Sequence, residues 1–126
     1  MNADDERALG LTMGAVRRLA AGVDAQTHYL EQLGTAPNAD ELALEFDDSY
    51  KPLNARLAES DIPNGLSSAV QRLDELLLSF SGPENADLWT TRALTAAPQW
   101  RGVRRAAQHV IDEATAAGLN RVAKRH

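Results

Sequence analysis

The chain of 126 residues is 44% hydrophobic and 25% charged, has no cysteine and carries a formal net charge of −5. That length suits one domain with a substantial core, and the missing cysteines exclude a disulfide framework, a thiolate zinc site, an iron-sulfur cluster and a cysteine nucleophile. Aromatic residues make up only 5% and strand-favouring runs are nearly absent, so the composition predicts an all-α protein and argues against an all-β one.

From Asp4 to Leu33, apolar or small residues recur at Leu9, Met13, Val16, Ala20, Val23, Thr27 and Leu30 in alternating steps of four and three. This spacing predicts one long amphipathic helix, with Gly34 and Pro37 as stop signals beyond its end. Gly10 and Gly14 form a G-x-x-x-G step that, in a charged helix, reads as permission for close packing rather than as a membrane contact. Asn38 with Glu41 reads as an N-terminal cap box, and Leu42, Phe46, Tyr50, Leu53 and Leu57 continue a second helix. Pro52 within it predicts a kink or break near Asp48 to Lys51, and the stripe crosses the proline in phase, which favours the kink.

The turn-rich stretch Ser60 to Gly65 precedes a third helix on Leu66, Val70, Leu73, Leu77 and Phe80. Ser81, Pro83 and Glu84 read as the capped start of a short fourth helix carrying Leu88, Trp89 and Leu94. Pro98 suits the first turn of a fifth, whose expected buried face is Trp100, Val103, Ala107, Val110, Ile111 and Ala114, ending at Gly118. The expected architecture is therefore a single compact bundle of four to five helices over residues 1–118, with a long N-terminal helix and a basic tail over 119–126.

The function classes narrow further by absence. No apolar run approaches the roughly 18 to 20 residues of a membrane span, and Met1 to Glu6 is acidic where a secretory signal is basic and then apolar, so the expected location is cytoplasmic. There is no P-loop, no dinucleotide-binding glycine pattern and no nucleophile elbow, and the chain is not expected to be an enzyme or to hold a cofactor. Asp24 with His28, and His109 with Glu113, stand four apart as two metal ligands on a helix would. Salt bridging explains the same spacing, and the doubled Glu-x-x-His pattern of carboxylate-bridged metal bundles is absent, so no metal is expected.

Charge is distributed unevenly. Residues 1–88 carry 16 acids against 6 bases, and residues 89–126 carry 2 against 7. Asp40, Glu41, Glu45, Asp47 and Asp48, followed by Glu59 and Asp61, concentrate carboxylates on and after the second helix. One reading is a surface that a basic partner would relieve of its repulsion, with Asp40, Glu41, Glu45, Asp47, Asp48 and Asp61 as the contacts. The other is a solvated face whose first acids favour a helix N-terminus. Trp89 and Trp100 bracket Arg92, and Arg101, Arg104 and Arg105 follow. This is either an anion or ligand patch formed by Trp89, Trp100, Arg101, Arg104 and Arg105, or a pair of core tryptophans with arginines riding over them. A sequence pI near 5.1 argues against nucleic acid as a partner on charge grounds. A homo-dimer paired through Leu9, Met13, Val16 and Val23 of the first helix is an alternative use of the chain, as is an anionic small molecule between helices near Trp89, Trp100 and Arg104.

Gly82 to Ala107, G-P-E-N-A-D-L-W-T-T-R-A-L-T-A-A-P-Q-W-R-G-V-R-R-A-A, resembles the C-terminal pattern of small, uncharacterised, all-helical bacterial proteins, as does Leu44 to Tyr50, L-E-F-D-D-S-Y. Some proteins of this size and character resemble immunity proteins, which bind and neutralise a cognate bacterial toxin. The matched segments cover about a quarter of the chain. The resemblance implies a helical setting for Trp89, Trp100 and Arg104 and a cognate toxin as partner, and it carries no functional residue across.

Overall fold

The structure, a computed structural model, describes residues 1–34 and 38–119. Among these, six α-helices and one 3₁₀ helix follow in order: α1 Ala3–Ala20, α2 Val23–Leu33, α3 Asp40–Asn54, α4 Asn64–Ser79, the 3₁₀ helix Pro83–Trp89, α5 Thr91–Ala96 and α6 Pro98–Ala116. The described residues contain no strand, only an isolated antiparallel bridge between Asn38 and Thr90. The fold is all-α, with more and shorter helices than the sequence pattern suggests. Pro37 and residues 120–126 of the basic tail lie outside the described residues.

The stripe from Asp4 to Leu33 does not form one helix. Asn2 caps α1, its Oδ1 accepting the Asp5 amide at 2.8 Å, but the chain turns extended at Ala21 (φ −65°, ψ 158°) and Gly22 (φ −67°, ψ 162°) before α2 begins. A helix broken there leaves its last carbonyls without amide donors. Gln26 supplies them: its buried side-chain Nε2 donates to Arg18 O at 3.1 Å and Leu19 O at 3.0 Å. Its Oε1 accepts from Arg104 Nη1 at 3.1 Å, and Arg104 Nη2 reaches Leu94 O at 3.1 Å. One polar side chain thus ties the α1–α2 corner to α5 and α6. Gly34, at φ 75°, ends α2 in the left-handed conformation expected of a C-terminal glycine.

The proline in α3 does not split that helix. It runs through Pro52 and ends two residues later at Asn54, because a proline in the last turn forfeits one backbone bond close to where bonding stops anyway. Leu57 falls in the turn that follows. Two further differences arise at the expected fourth helix. Ser81 does not cap it; its hydroxyl donates back to Leu77 O at 2.9 Å and closes α4. The helix itself divides at Thr90, where Ala39 N donates to Trp89 O at 2.9 Å and Thr90 Oγ1 accepts the Ala93 amide at 3.1 Å to start α5.

α1 packs on α3 and on α6, and α6 packs on α4. The core between them is built from the anticipated stripes: Leu9, Met13, Val16 and Leu19 of α1, Leu42, Phe46 and Leu53 of α3, Leu66, Val70 and Leu73 of α4, and Trp100, Val103, Ala107, Val110 and Ala114 of α6. Gly10 and Gly14 are buried within α1. Because Leu9, Met13 and Val16 are at most 1% exposed and Val23 packs partly buried against the same core, the face assigned to a homo-dimer is consumed inside the chain. No helix among the described residues is long and apolar enough to cross a membrane.

Candidate functional site

The acids of α3 part to two sides of the helix. At 100° per residue, Asp40 and Asp47 share one side, while Glu41, Glu45 and Asp48 lie toward the other. Glu45 faces inward to the α1–α2 corner. Its Oε1 accepts from Arg18 Nε at 2.8 Å and its Oε2 accepts the Tyr29 hydroxyl, over whose ring the Arg18 guanidinium sits 5.2 Å from the centroid. Burial and the bond to Glu45 push the Tyr29 hydroxyl pKa above its ordinary value. Asp61 lies away from the helix, 3.1 Å from the Met1 amine. Glu41 is half-buried and Asp48 exposed. The six expected contacts therefore do not form one surface.

Asp40 and Asp47 border a groove of about 680 Å³ between α3, α4 and the 3₁₀ helix. Its apolar walls come from Ala43, Leu44 and Phe46 on α3, Leu77 and Leu78 on α4, and Pro83, Ala86 and Trp89 beyond. Leu44 and Leu78, one on each bank, are 52% and 61% exposed and belong to the same groove. A third carboxylate, Asp74, joins from α4. Burial, then the charges of Asp47 and Glu75, push its pKa up from the ordinary aspartate value, with Lys51 offsetting part of the effect. Lys51 bonds Asp47 at 2.9 Å, and that bond raises the ammonium pKa. Among the described residues, no Lys, Arg or His lines the groove itself. Asp74 was missed by sequence reasoning because it is a lone acid on another helix; only the packing brings it opposite Asp47.

Trp100 is core, while Trp89 packs partly buried against it and also lines the groove. Trp100 is fully buried, its Nε1 donating to Leu88 O at 2.6 Å. Trp89 Nε1 donates to Phe80 O at 2.9 Å. Phe80 stacks on Trp89 at 4.9 Å, and Trp100 meets both edge-on at 5.7 and 5.4 Å. Such pairs add about 0.5–1.5 kcal/mol each beyond area burial. Arg104 serves Gln26 and Leu94; burial lowers its pKa, with Arg101 adding to the shift. Arg101 and Arg105 are exposed on α6. With one tryptophan inaccessible and the central arginine engaged, these five residues do not assemble into an anion site.

A smaller hollow of about 400 Å³ lies between α1 and α2, lined in part by Arg17, Arg18, His28 and Tyr29, but Arg18 is already paired with Glu45. His109 stands 3.7 Å from Glu113, while Asp24 and His28 are both exposed on α2. No metal-holding group of three ligating residues occurs among the described residues. No family model matches the chain, and no curated protein or solved structure matches it either.

Proposed function

We propose that the chain is a cytoplasmic, non-enzymatic protein-binding module of the immunity or antitoxin type, which engages a basic protein partner through the groove between α3 and α4. The observation that carries this reading is the groove itself: an apolar trough with two largely exposed leucines on its banks, bordered by Asp40, Asp47 and Asp74 and by no basic side chain among the described residues. Exposed apolar surface rimmed by charge is the composition of an interaction site, and a carboxylate such as Asp74, whose pKa is raised by burial and by the charges of Asp47 and Glu75, gains from a cationic partner. The contact set is narrower than the sequence indicates. Glu45 belongs to the fold, and Asp74 replaces it.

The test is site-specific photocrosslinking from position 78 in cells of the source organism. We expect an adduct with a basic protein that disappears when Asp40→Lys, Asp47→Lys and Asp74→Lys are combined. The purified pair should associate at a rate that falls with salt and by at least about tenfold on the reversal, as electrostatic steering requires. An adduct indifferent to the reversal, or none at all, overturns the assignment.

A further inference from the structure

We propose that the occupant of the groove is an amphipathic α-helix of the partner, lying along the seam between α3 and α4. The inference rests on the protein-binding reading and specifies what is bound. Its first support is the order of packing: α3 lies on α1, α1 on α6 and α6 on α4, with no comparable seam closing α4 back onto α3. A bundle whose α3 and α4 pack on each other so weakly leaves a side on which one more helix fits, and a helix is the element whose side-chain ridges match the grooves of two others.

The banks point the same way. A peptide bound by strand addition needs an unpaired sheet edge, and both banks are α-helices, whose mid-helix backbone groups bond within the helix. Leu44 and Leu78 rise from opposite banks and are the two most exposed large apolar side chains among the described residues; a helix laid between them covers both at once. Leu77 and Trp89 offer the apolar contacts between the banks.

Charge sets the register. Asp40 and Asp47 are seven residues apart on one side of α3, about 10 Å at 1.5 Å per residue, so cations at positions i and i+7 along one flank of the guest helix would meet both. Asp74 faces the other flank. Lys51, one turn past Asp47 and bonded to it, disfavours a third cation at that end and fixes where the basic stretch stops. The predicted guest thus has apolar residues on its inner face at positions j, j+3 or j+4 and j+7, distinct from the cationic ones, flanked by two Lys or Arg on one side and one on the other. An acidic helix or a nucleic acid would meet repulsion from the same three carboxylates.

The experiment is selection of random 20-residue displayed peptides against the full chain, with counter-selection against the Asp40→Lys, Asp47→Lys, Asp74→Lys variant and separately against Leu78→Glu. We expect basic peptides with three-and-four apolar spacing, whose synthetic forms become helical on binding and weaken at least tenfold when a central residue is replaced by proline. Basic peptides that need the groove but tolerate the proline and lack the spacing would overturn the helical guest and leave the basic-partner reading standing. Acidic peptides, or no enrichment sensitive to either variant, would overturn both. Light scattering of the chain alone completes the test. A dimer that the triple reversal dissociates would make the occupant a second copy and refute a partner helix.

Discussion

Replacing Gln26 with leucine tests whether one buried amide holds the α1–α2 corner. The side chain is 1% exposed and satisfies three groups: Arg18 O and Leu19 O as donor, and Arg104 Nη1 as acceptor. Gln26→Leu keeps the approximate size, so little of its effect is cavity formation. It leaves the Leu19 carbonyl and one guanidinium N–H without their partner, at about 1–3 kcal/mol for each fully buried group, while Arg18 O keeps the Ala21 amide at 3.4 Å. The Arg18 carbonyl bond is only part-buried, Arg104 retains Leu94 O, and the leucine adds apolar burial. The expected net loss is therefore about 3 kcal/mol, or about 10 °C in melting temperature for a domain of this size. Urea unfolding at constant m-value is the assay. In an Arg104→Met background the same replacement should cost at least about 1 kcal/mol less, because the guanidinium left unpaired is then gone. A Gln26→Leu protein within about 0.5 kcal/mol of wild type would refute the reasoning.

Trp100→Ala, at a fully buried position contacting two other aromatic rings, should cost about 3–5 kcal/mol in denaturant titration, whereas Tyr29→Phe should cost about 1 kcal/mol for the lost bond to Glu45. Asp74→Asn should stabilise the free protein at neutral pH. The folded pKa of Asp74 is raised, so the fold binds this proton more tightly than the unfolded chain, and ionisation lowers stability as pH climbs from the ordinary aspartate range through the raised value. Melting temperatures across pH should show the gap between variant and wild type largest above that window and shrinking below it; a gap independent of pH would contradict the assignment. Pro52→Ala should stabilise by about 1 kcal/mol or less, since the proline sits in the last turn of α3, where restoring an amide adds one bond near a frayed end; a gain of several kcal/mol would show that the proline strains the whole helix.

Periodicity made the helices legible where burial is one-sided, and α6 is the clearest case: Trp100, Val103, Ala107, Val110 and Ala114 are all buried as their spacing requires. The same signal concealed the break at Ala21–Gly22, because the apolar rhythm from Val16 through Val23 to Leu30 stays in phase across it. What permits the break is a side chain four residues past the corner, braced by an arginine 78 residues further along, and no local window contains that information. The division at Thr90 has the same origin, a backbone bond from Ala39 to Trp89 that pulls one residue out of helical geometry. The acidic cluster was legible as composition but not as surface. Helical geometry alone separates Glu45 from Asp40 by about 140°, but only the packing of α3 shows that the first turns to Arg18 and the second to the groove.

That separation determines which charge reversals carry information about binding. Glu45 accepts two bonds at a part-buried corner. Glu45→Lys would place an ammonium against Arg18 and break the bond from Tyr29, so reduced binding would report a damaged fold as readily as a lost contact. Asp40, Asp47 and Asp74 contribute differently. In the free protein Asp74 is partly buried and repelled by Asp47 and Glu75, while Lys51 bonds Asp47 and offsets part of the effect on Asp74. Neutralising or reversing Asp74 removes that strain at no cost to a packed pair. A carboxylate such as Asp74 that is unfavourable in isolation and favourable against a cationic helix lowers the stability of the free state while it serves binding. Asp74→Asn is then expected to weaken binding and to raise the melting temperature, and the opposite signs of the two effects distinguish a recognition surface from a face that is merely solvated.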